Sequence, residues 1–314
     1  MTLQPPRPAL SIVATMYRSE AFIEEFCERI TRSATAITPD FEIVLVNDGS
    51  PDASLDRAKA VADRNPAVVV VDLSRNFGHH RAIMIGLEQA RGDHVFLIDV
   101  DLEEPPESLV KLWGVLSDAD ADVAFGVQPF RKGRLFERLS GSLFWSLIRK
   151  ATAMPIPANP LTARLMTRRY VHALIQHRER EIFLAGLWHI TGFRQIPVPI
   201  VKSSRGETSY DLGKRISLFV NSITSFSSYP LALIFYVGIT ITGLSLMLGL
   251  TLVVARVSGI MLLEGWVSVM LSVWFLGGVN FMFLGVIGVY LSRVFTEVKQ
   301  RPYGIIREIY RCRE

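Results

Sequence analysis

The sequence predicts an α/β fold: a mostly parallel sheet with helices on both faces, followed by interfacial helices and a two-helix transmembrane hairpin. Three observations predict it. Short, β-branched apolar runs alternate with helically spaced segments between residues 9 and 127, the pattern of a parallel sheet covered on both faces. Two later runs, 216–255 and 265–292, contain no Asp, Glu, Lys or Arg, and about 20 apolar residues suffice to cross a bilayer core. The unusual polar clusters of the first half fall where apolar runs end, and open parallel sheets bind ligands at the carboxyl ends of their strands.

Taken in order, LSIVATM (10–16) reads as the first strand, and 20–36 as a helix, with Phe22, Ile23, Phe26 and Ile30 at helical spacing. FEIVLVN (41–47) is the second strand and 52–65 the second helix. VVVVDLS (68–74) and 79–90 form the next pair, HVFLID (94–99) and 107–116 the fourth, and DVAFGV (122–127) a fifth strand. Residues 133–150 carry an apolar face through Leu135, Leu139, Leu143 and Leu147, with basic ends and Trp145. That segment suits a core helix and an interfacial helix equally. FRQIPVPIVK (193–202) is β-like and leads into the polar stretch SSRGETSY (203–210).

The expected organisation is a cytoplasmic α/β domain over 1–210, with 133–150 as a candidate interfacial helix, then an interfacial amphipathic helix over 211–229. Spans over 230–255 and 265–292 follow, joined by a short extracytoplasmic loop, 256–264, and the chain closes with a basic tail, 293–314. Lys202, Arg205, Lys214 and Arg215 precede the hairpin and Arg293, Lys299, Arg301, Arg307, Arg311 and Arg313 follow it, whereas the loop holds Arg256 alone. The positive-inside rule therefore places both flanks in the cytoplasm, as for an integral protein of the inner membrane. A mean hydropathy of +0.29 beside 20% charged residues reflects this split. The N-terminus lacks a signal-peptide pattern. Two distant cysteines, Cys27 and Cys312, form no metal or redox motif, which fits a reducing compartment. The net charge of +4 gathers around the hairpin, which suits contact with anionic lipid headgroups and ordinary topogenic charge alike; nucleic acid is not expected as a partner.

The fourth strand ends in DVDLEEPPE (99–107). At a strand's end Asp99 and Asp101 share a face, and two carboxylates facing one cleft repel unless a cation lies between them. Mg²⁺ takes one or two carboxylates and fills its shell with water and phosphate oxygens. Alone, the pair reads equally well as a cap for the following helix. Its companions shift the balance. NDGS (47–50) closes the second strand with an acceptor, Asp48, and a tight turn. Arg75, Asn76, Phe77 and Gly78 close the third with a cation at a helix N-terminus, a place that suits anions. Thr15, Tyr17 and Glu20 close the first. Together these make a nucleotide-diphosphate site.

The stretches VNDGSPD (46–52), LSRNFGHHRA (73–82), DVDLEEPPE (99–107), RLMTRR (164–169), GFRQIPVP (192–199), SITSFSSYPL (222–231) and LGVIGVYLSRVFTEVKQRPY (284–303) resemble family-2 glycosyltransferases, of the branch similar to dolichol-phosphate mannose synthase and bacterial undecaprenyl-phosphate glucosyltransferases. The resemblance covers nearly the whole chain. It implies a GT-A-type (Rossmann-like) domain, a nucleotide-diphosphate sugar donor of the UDP type, Mg²⁺ or Mn²⁺, and a polyprenyl phosphate acceptor, with inverting hexose transfer serving cell-envelope glycan modification. It further implies that Asp48 contacts the base and that Asp99 and Asp101 contact the ribose and the metal-bound diphosphate. Thr15, Tyr17, Glu20, Arg75, Asn76 and Gly78 would line the nucleotide. Arg131, Arg164 and Arg205 would hold phosphates, and a homo-oligomer is expected.

Three departures stand out. Glu103 replaces the Gln usual after the acidic pair and offers a further metal ligand. Gln128 stands where the family often has Arg. In NPLTAR (159–164), Asn159 and Thr162 occupy positions that are commonly Asp, so no carboxylate base is available at either. A lipid phosphate, with a second pKa near ~6, is already an anionic nucleophile and needs no such base, whereas a sugar hydroxyl does. Transfer of a modified amino sugar such as an aminoarabinose derivative, and a non-catalytic membrane scaffold, are the competing readings.

Overall fold

The computed structural model describes residues 7–128, 160–180, 182–203, 229–258 and 265–312. Among the described residues, eight strands form one sheet: β1 Leu10–Met16, β2 Phe41–Asn47, β3 Val68–Leu73, β4 His94–Asp99, β5 Val123–Val127, β6 Pro160–Thr167, β7 Gln195–Pro199 and β8 Ile306–Arg311. Their order across the sheet is β7-β5-β6-β4-β1-β2-β3-β8. The helices are α1 Ile23–Thr35, α2 Ser54–Arg64, α3 His79–Gln89, α4 Ser108–Asp118, α5 Arg168–Leu174, α6 Leu184–Ile190, α7 Tyr229–Val257 and α8 Trp266–Val298.

Apart from Phe41 at the start of β2, the strands β1, β2 and β3 are buried along their length, and their alternation sends side chains to two cores. Leu10, Ile12, Ala14 and Met16 of β1 join Phe26 and Ile30 of α1 and Ala58 of α2 on one face. On the other face α3 crosses so closely that a Cβ at Gly86 would strike the Val13 and Val46 side chains. At the amino ends of the strands, buried Glu42 accepts from the Ser11 hydroxyl at 2.7 Å and from the Arg91 guanidinium at 2.7 and 2.9 Å. This carboxylate is fully satisfied, as a buried charge must be, and it belongs to the scaffold.

Two expectations are corrected. The sheet is mixed rather than mostly parallel: β1 pairs in parallel with β2 and β4, β2 with β3, and β5 with β7, but β6 runs antiparallel to both β4 and β5, and β8 antiparallel to β3. Parallel central strands read as continuous apolar runs. PLTARLMT and IREIYR instead interleave polar and charged residues, so neither carried that signature. The two-span hairpin is also overturned. Among the described residues one stretch, Ser272–Val298, is long and apolar enough to cross a membrane. It reaches beyond the charge-free run and includes Arg293 and Glu297.

The sheet, its helices and the segment from Arg301 onward form one compact unit, and α7 and α8 belong to a second. Within that second unit, Trp274 and Phe281 of α8 are largely exposed. The expected interfacial helices at 133–150 and 211–229 lie outside the described residues.

Candidate active site

Because β1, β2, β3 and β4 are parallel, their carboxyl ends converge. Thr15 and Asp99 are register partners across β1 and β4. The Thr15 hydroxyl donates to Asp99 Oδ1 at 2.8 Å, and His79 Nδ1 lies 3.2 Å from the same hydroxyl. His79 Nε2 is 3.7 Å from Asp99 Oδ2. A cavity of about 260 Å³ opens here, lined by Thr15, Tyr17, Asp48, Asn76, Gly78, His79, Asp99 and Asp101 among others.

Asp48 ties two loops together. Its carboxylate accepts from the backbone N–H of Phe77 at 2.7 Å and of Gly78 at 3.0 Å. Burial nonetheless pushes its pKa above the ordinary carboxylate value. Gly49, at φ +62°, lies so close to Arg75 and Asn76 that any Cβ would meet their backbone. A glycine is required there on both counts.

Past Asp99 the chain turns sharply. Leu102 has φ 58°, a left-handed conformation that costs a non-glycine residue on the order of 1 kcal/mol or more. The turn brings Asp101 Oδ1 to 2.9 Å from the Glu103 backbone N–H. Burial, then the charges of Asp99 and Glu103, raise the Asp101 pKa. Glu103 is ion-paired at 2.6 Å with Lys202, and the Ser203 N–H donates to its carbonyl oxygen at 2.8 Å. Burial alone would lower the Lys202 ammonium, yet Glu103, Glu104 and Asp101 carry it above its usual value. Glu104 turns inward and accepts from the backbone N–H of Thr162 at 3.1 Å and of Ala163 at 2.6 Å.

Burial, aided by Asp99, pushes the Glu104 carboxyl from its ordinary 4.5 up to about 7. A carboxyl with a raised folded-state pKa contributes stability that is complete below its unfolded value and is lost as pH rises through the folded one. Stability should therefore fall as pH rises through the interval from about 4.5 to about 7. Glu104→Gln should flatten that fall, as read by denaturant midpoints across the interval.

A second cavity, of about 380 Å³, shares His79 with the first and is lined by Gln128, Thr162, Trp188 and Lys202. Arg164 is not in its wall. Its side chain is 1% exposed, and its guanidinium lies 3.0 Å from the Trp188 ring centroid and donates to Leu161 O at 3.3 Å. Burial pulls its pKa down to about 9. It lines a separate space of about 310 Å³ with Phe125, Trp188 and Gln195.

Of the residues expected from sequence, the first cavity brings together Thr15, Tyr17, Asp48, Asn76, Gly78, Asp99 and Asp101. Glu20 instead accepts from the Ala53 N–H at 3.1 Å. The Arg75 guanidinium lies over the Phe77 ring at 4.2 Å. Neither lines that cavity. Arg131 and Arg205 lie outside the described residues. Sequence reasoning missed His79 and Lys202. The first could have been found as the residue after Gly78 at the start of α3; the second has no local signal.

A family model for glycosyl transferase family 2 matches residues 11–175. A Mycobacterium tuberculosis (strain CDC 1551 / Oshkosh) protein named as a glycosyltransferase is 46% identical over 301 residues, covering 96% of this chain and 88% of that protein. The uncharacterized glycosyltransferase YkcC of Bacillus subtilis (strain 168) is 32% identical, covering 96% and 94% of the two chains. The bactoprenol glucosyl transferase of Shigella phage SfII is also 32% identical, covering 96% and 98%. The chain belongs to glycosyl transferase family 2, and the resemblance drawn from its motifs is borne out. It carries the family's catalytic domain and is a glycosyltransferase.

Proposed function

We propose that this enzyme transfers a sugar from a nucleotide-diphosphate donor to a polyprenyl phosphate, the class of acceptor named for its bactoprenol glucosyl transferase relatives. The observation that carries the reading is the pair of cavities meeting at His79, one lined by carboxylates at strand ends and the other presenting the Lys202 ammonium. The first suits a nucleotide diphosphate and the second an anionic acceptor.

Among the described residues no group of three or more His, Cys, Asp or Glu side chains could hold a metal ion. Two carboxylates nevertheless suit Mg²⁺ or Mn²⁺, which completes its shell from water and diphosphate oxygens. Asp99 and Asp101 line one cavity; burial, with the Asp99 charge adding to it, raises the Asp101 pKa, and a cation beside the pair would relieve that cost. Glu103, engaged by Lys202, is less available as a ligand. Such an ion, when bound, stabilises the leaving diphosphate.

In this reading the chain's own groups position the reactants. Thr15 fixes the Asp99 carboxylate by its hydroxyl proton. Lys202 draws the acceptor phosphate in beside the donor sugar. The phosphate oxygen attacks the anomeric carbon from the side opposite the departing diphosphate, inverting it. No protein base is required, because the nucleophile is already ionised above its second pKa of ~6. Among the described residues, Thr162 stands where a base would be sought. The apolar stretch Ser272–Val298 would bring the enzyme to the bilayer that holds its acceptor, with the catalytic unit on the cytoplasmic side. UDP is the proposed nucleotide.

Release of nucleoside diphosphate from a nucleotide sugar should depend on added polyprenyl phosphate; equal release without acceptor would contradict the reading. A sharper expectation concerns Thr162→Asp. The added charge would enter a wall that already holds Lys202 beside Glu103 and Glu104, and would repel the acceptor. Transfer should slow by about 10-fold, the worth of ~1.4 kcal/mol. Faster transfer with a shifted pH optimum would show that a base was wanted.

A further inference from the structure

The C-terminal strand β8 is the unexpected element of the catalytic sheet. It follows α8 in the chain, returns to the edge of β3, and pairs there from Val69↔Arg311 to Leu73↔Ile306. Arg307 of β8 reaches a deeply buried charge: its Nη1 lies 3.2 Å from Asp72 Oδ2. Asp72 is 2% exposed. Its other oxygen accepts from Asn47 Nδ2 at 2.8 Å, and Asn47 Oδ1 in turn accepts from the Ser50 N–H at 3.2 Å. A flipped amide would set its carbonyl oxygen against the Asp72 carboxylate, so the network fixes Asn47 in one orientation. The route from the tail thus ends in the loop that carries Asp48.

A second tie runs to the neighbouring loop. Arg307 Nη2 donates to Ser74 O at 2.6 Å, and the Ser74 N–H donates to Ile305 O at 2.9 Å. Ser74 directly precedes Arg75, Asn76, Phe77 and Gly78. The far end of that segment is held by Asp48 through the Phe77 and Gly78 amides. The tail passes close beside it, since a Cβ at Gly304 would meet Ile85 and approach Phe77. Two of the segments that wall the carboxylate-lined cavity, those carrying Asp48 and Asn76, are therefore anchored at one end to Arg307 and at the other to each other.

We infer that Arg307 is a positioning residue for the nucleotide donor: through Asp72 and Asn47, and through Ser74, the C-terminal strand holds the two nucleotide-facing loops in their binding geometry. This rests on the reading of that cavity as the nucleotide site. Asp72 supplies the reason for a charged tether, because a buried carboxylate needs a cationic or well-donating partner, and one arginine satisfies it while also reaching a backbone carbonyl. A lysine, with a single ammonium, serves the two acceptors less well.

The test uses the full-length protein in lipid nanodiscs. UDP, GDP, CDP and dTDP are titrated into the wild type, and the one that binds most tightly is used for the variants. Arg307→Ala should weaken its binding by about 10-fold or more, Arg307→Lys should recover part of the loss, and the acceptor KM should stay unchanged. Amide hydrogen exchange on the same proteins without nucleotide should show lost protection confined to residues 48–50 and 74–78. Should Arg307→Ala fold poorly because Asp72 is left unpaired, Arg307→Ala combined with Asp72→Asn removes that buried charge and should still bind nucleotide weakly. Wild-type nucleotide affinity in either variant, or protection lost evenly along the sheet, would overturn the inference. If the wild type binds none of the four nucleotides, the reading of the cavity fails instead, and hydrogen exchange alone decides whether Arg307 orders the loops.

Discussion

Asp101→Asn is expected to reduce sugar transfer on the order of 100-fold or more while leaving the fold intact. Asp101 sits in a sharp turn beside Asp99, and burial, with like charge added, already raises its pKa. The strain at Leu102 and the repulsion both mark a place where the fold tolerates an unfavourable arrangement for the sake of a site. Replacing the carboxylate relieves the repulsion, so the variant should be at least as stable as the wild type. It also removes one of two groups available to a divalent cation, and with it the stabilisation of charge on the leaving diphosphate, an effect typically worth two orders of magnitude in rate or more. Steady-state transfer in saturating Mg²⁺, with a thermal melt alongside, checks both halves. Turnover close to wild type would sink the assignment of Asp101.

The second large effect is expected at Lys202. Lys202→Ala should raise the KM for polyprenyl phosphate by about 10-fold or more and leave the KM for the donor nearly unchanged, since a charge-assisted contact to phosphate is among the stronger polar interactions. Loss of the ammonium also frees Glu103, which adds a negative charge to a wall that must admit an anion. Lys202→Arg should retain most of the activity. Equal rises in both KM values would mean that Lys202 supports the acidic turn as a whole, rather than the acceptor. Together the two substitutions separate the roles assigned to the two cavities.

Much of the carboxylate-lined cavity was legible in the sequence because its physics is local. Strands β1, β2 and β4 follow their apolar runs closely; Thr15 and Asp99 fall within the last two positions of β1 and β4, and Asp48 and Asp101 lie just beyond β2 and β4. A parallel arrangement then brings the ends together with no further information. The surroundings of Lys202 and Arg164 depend on contacts that no local pattern encodes. Lys202 meets Glu103 only because β7 pairs beside β5. Arg164 read as a phosphate ligand from its motif, but β6 lies between β4 and β5 and turns that side chain into the interior against Trp188. Glu20 and Arg75 were placed at the right strand ends and yet point away, which strand periodicity cannot settle once the strand has ended. β8 escaped notice because IREIYR is an edge strand with charged residues in alternation, and such strands lack the apolar run that marks a central one.

The central claim is the transfer of sugar from a nucleotide donor to a polyprenyl phosphate. Its most direct test is to incubate the purified full-length protein with polyprenyl phosphate, Mg²⁺ and a panel of radiolabelled nucleotide sugars, and to count label in the organic phase. The account predicts lipid-phase label from at least one donor, dependent on the acceptor, abolished by Asp101→Asn and diminished by Lys202→Ala at low acceptor concentration. Label that stays in the aqueous phase with every donor, or that reaches lipid equally well in Asp101→Asn, would contradict it.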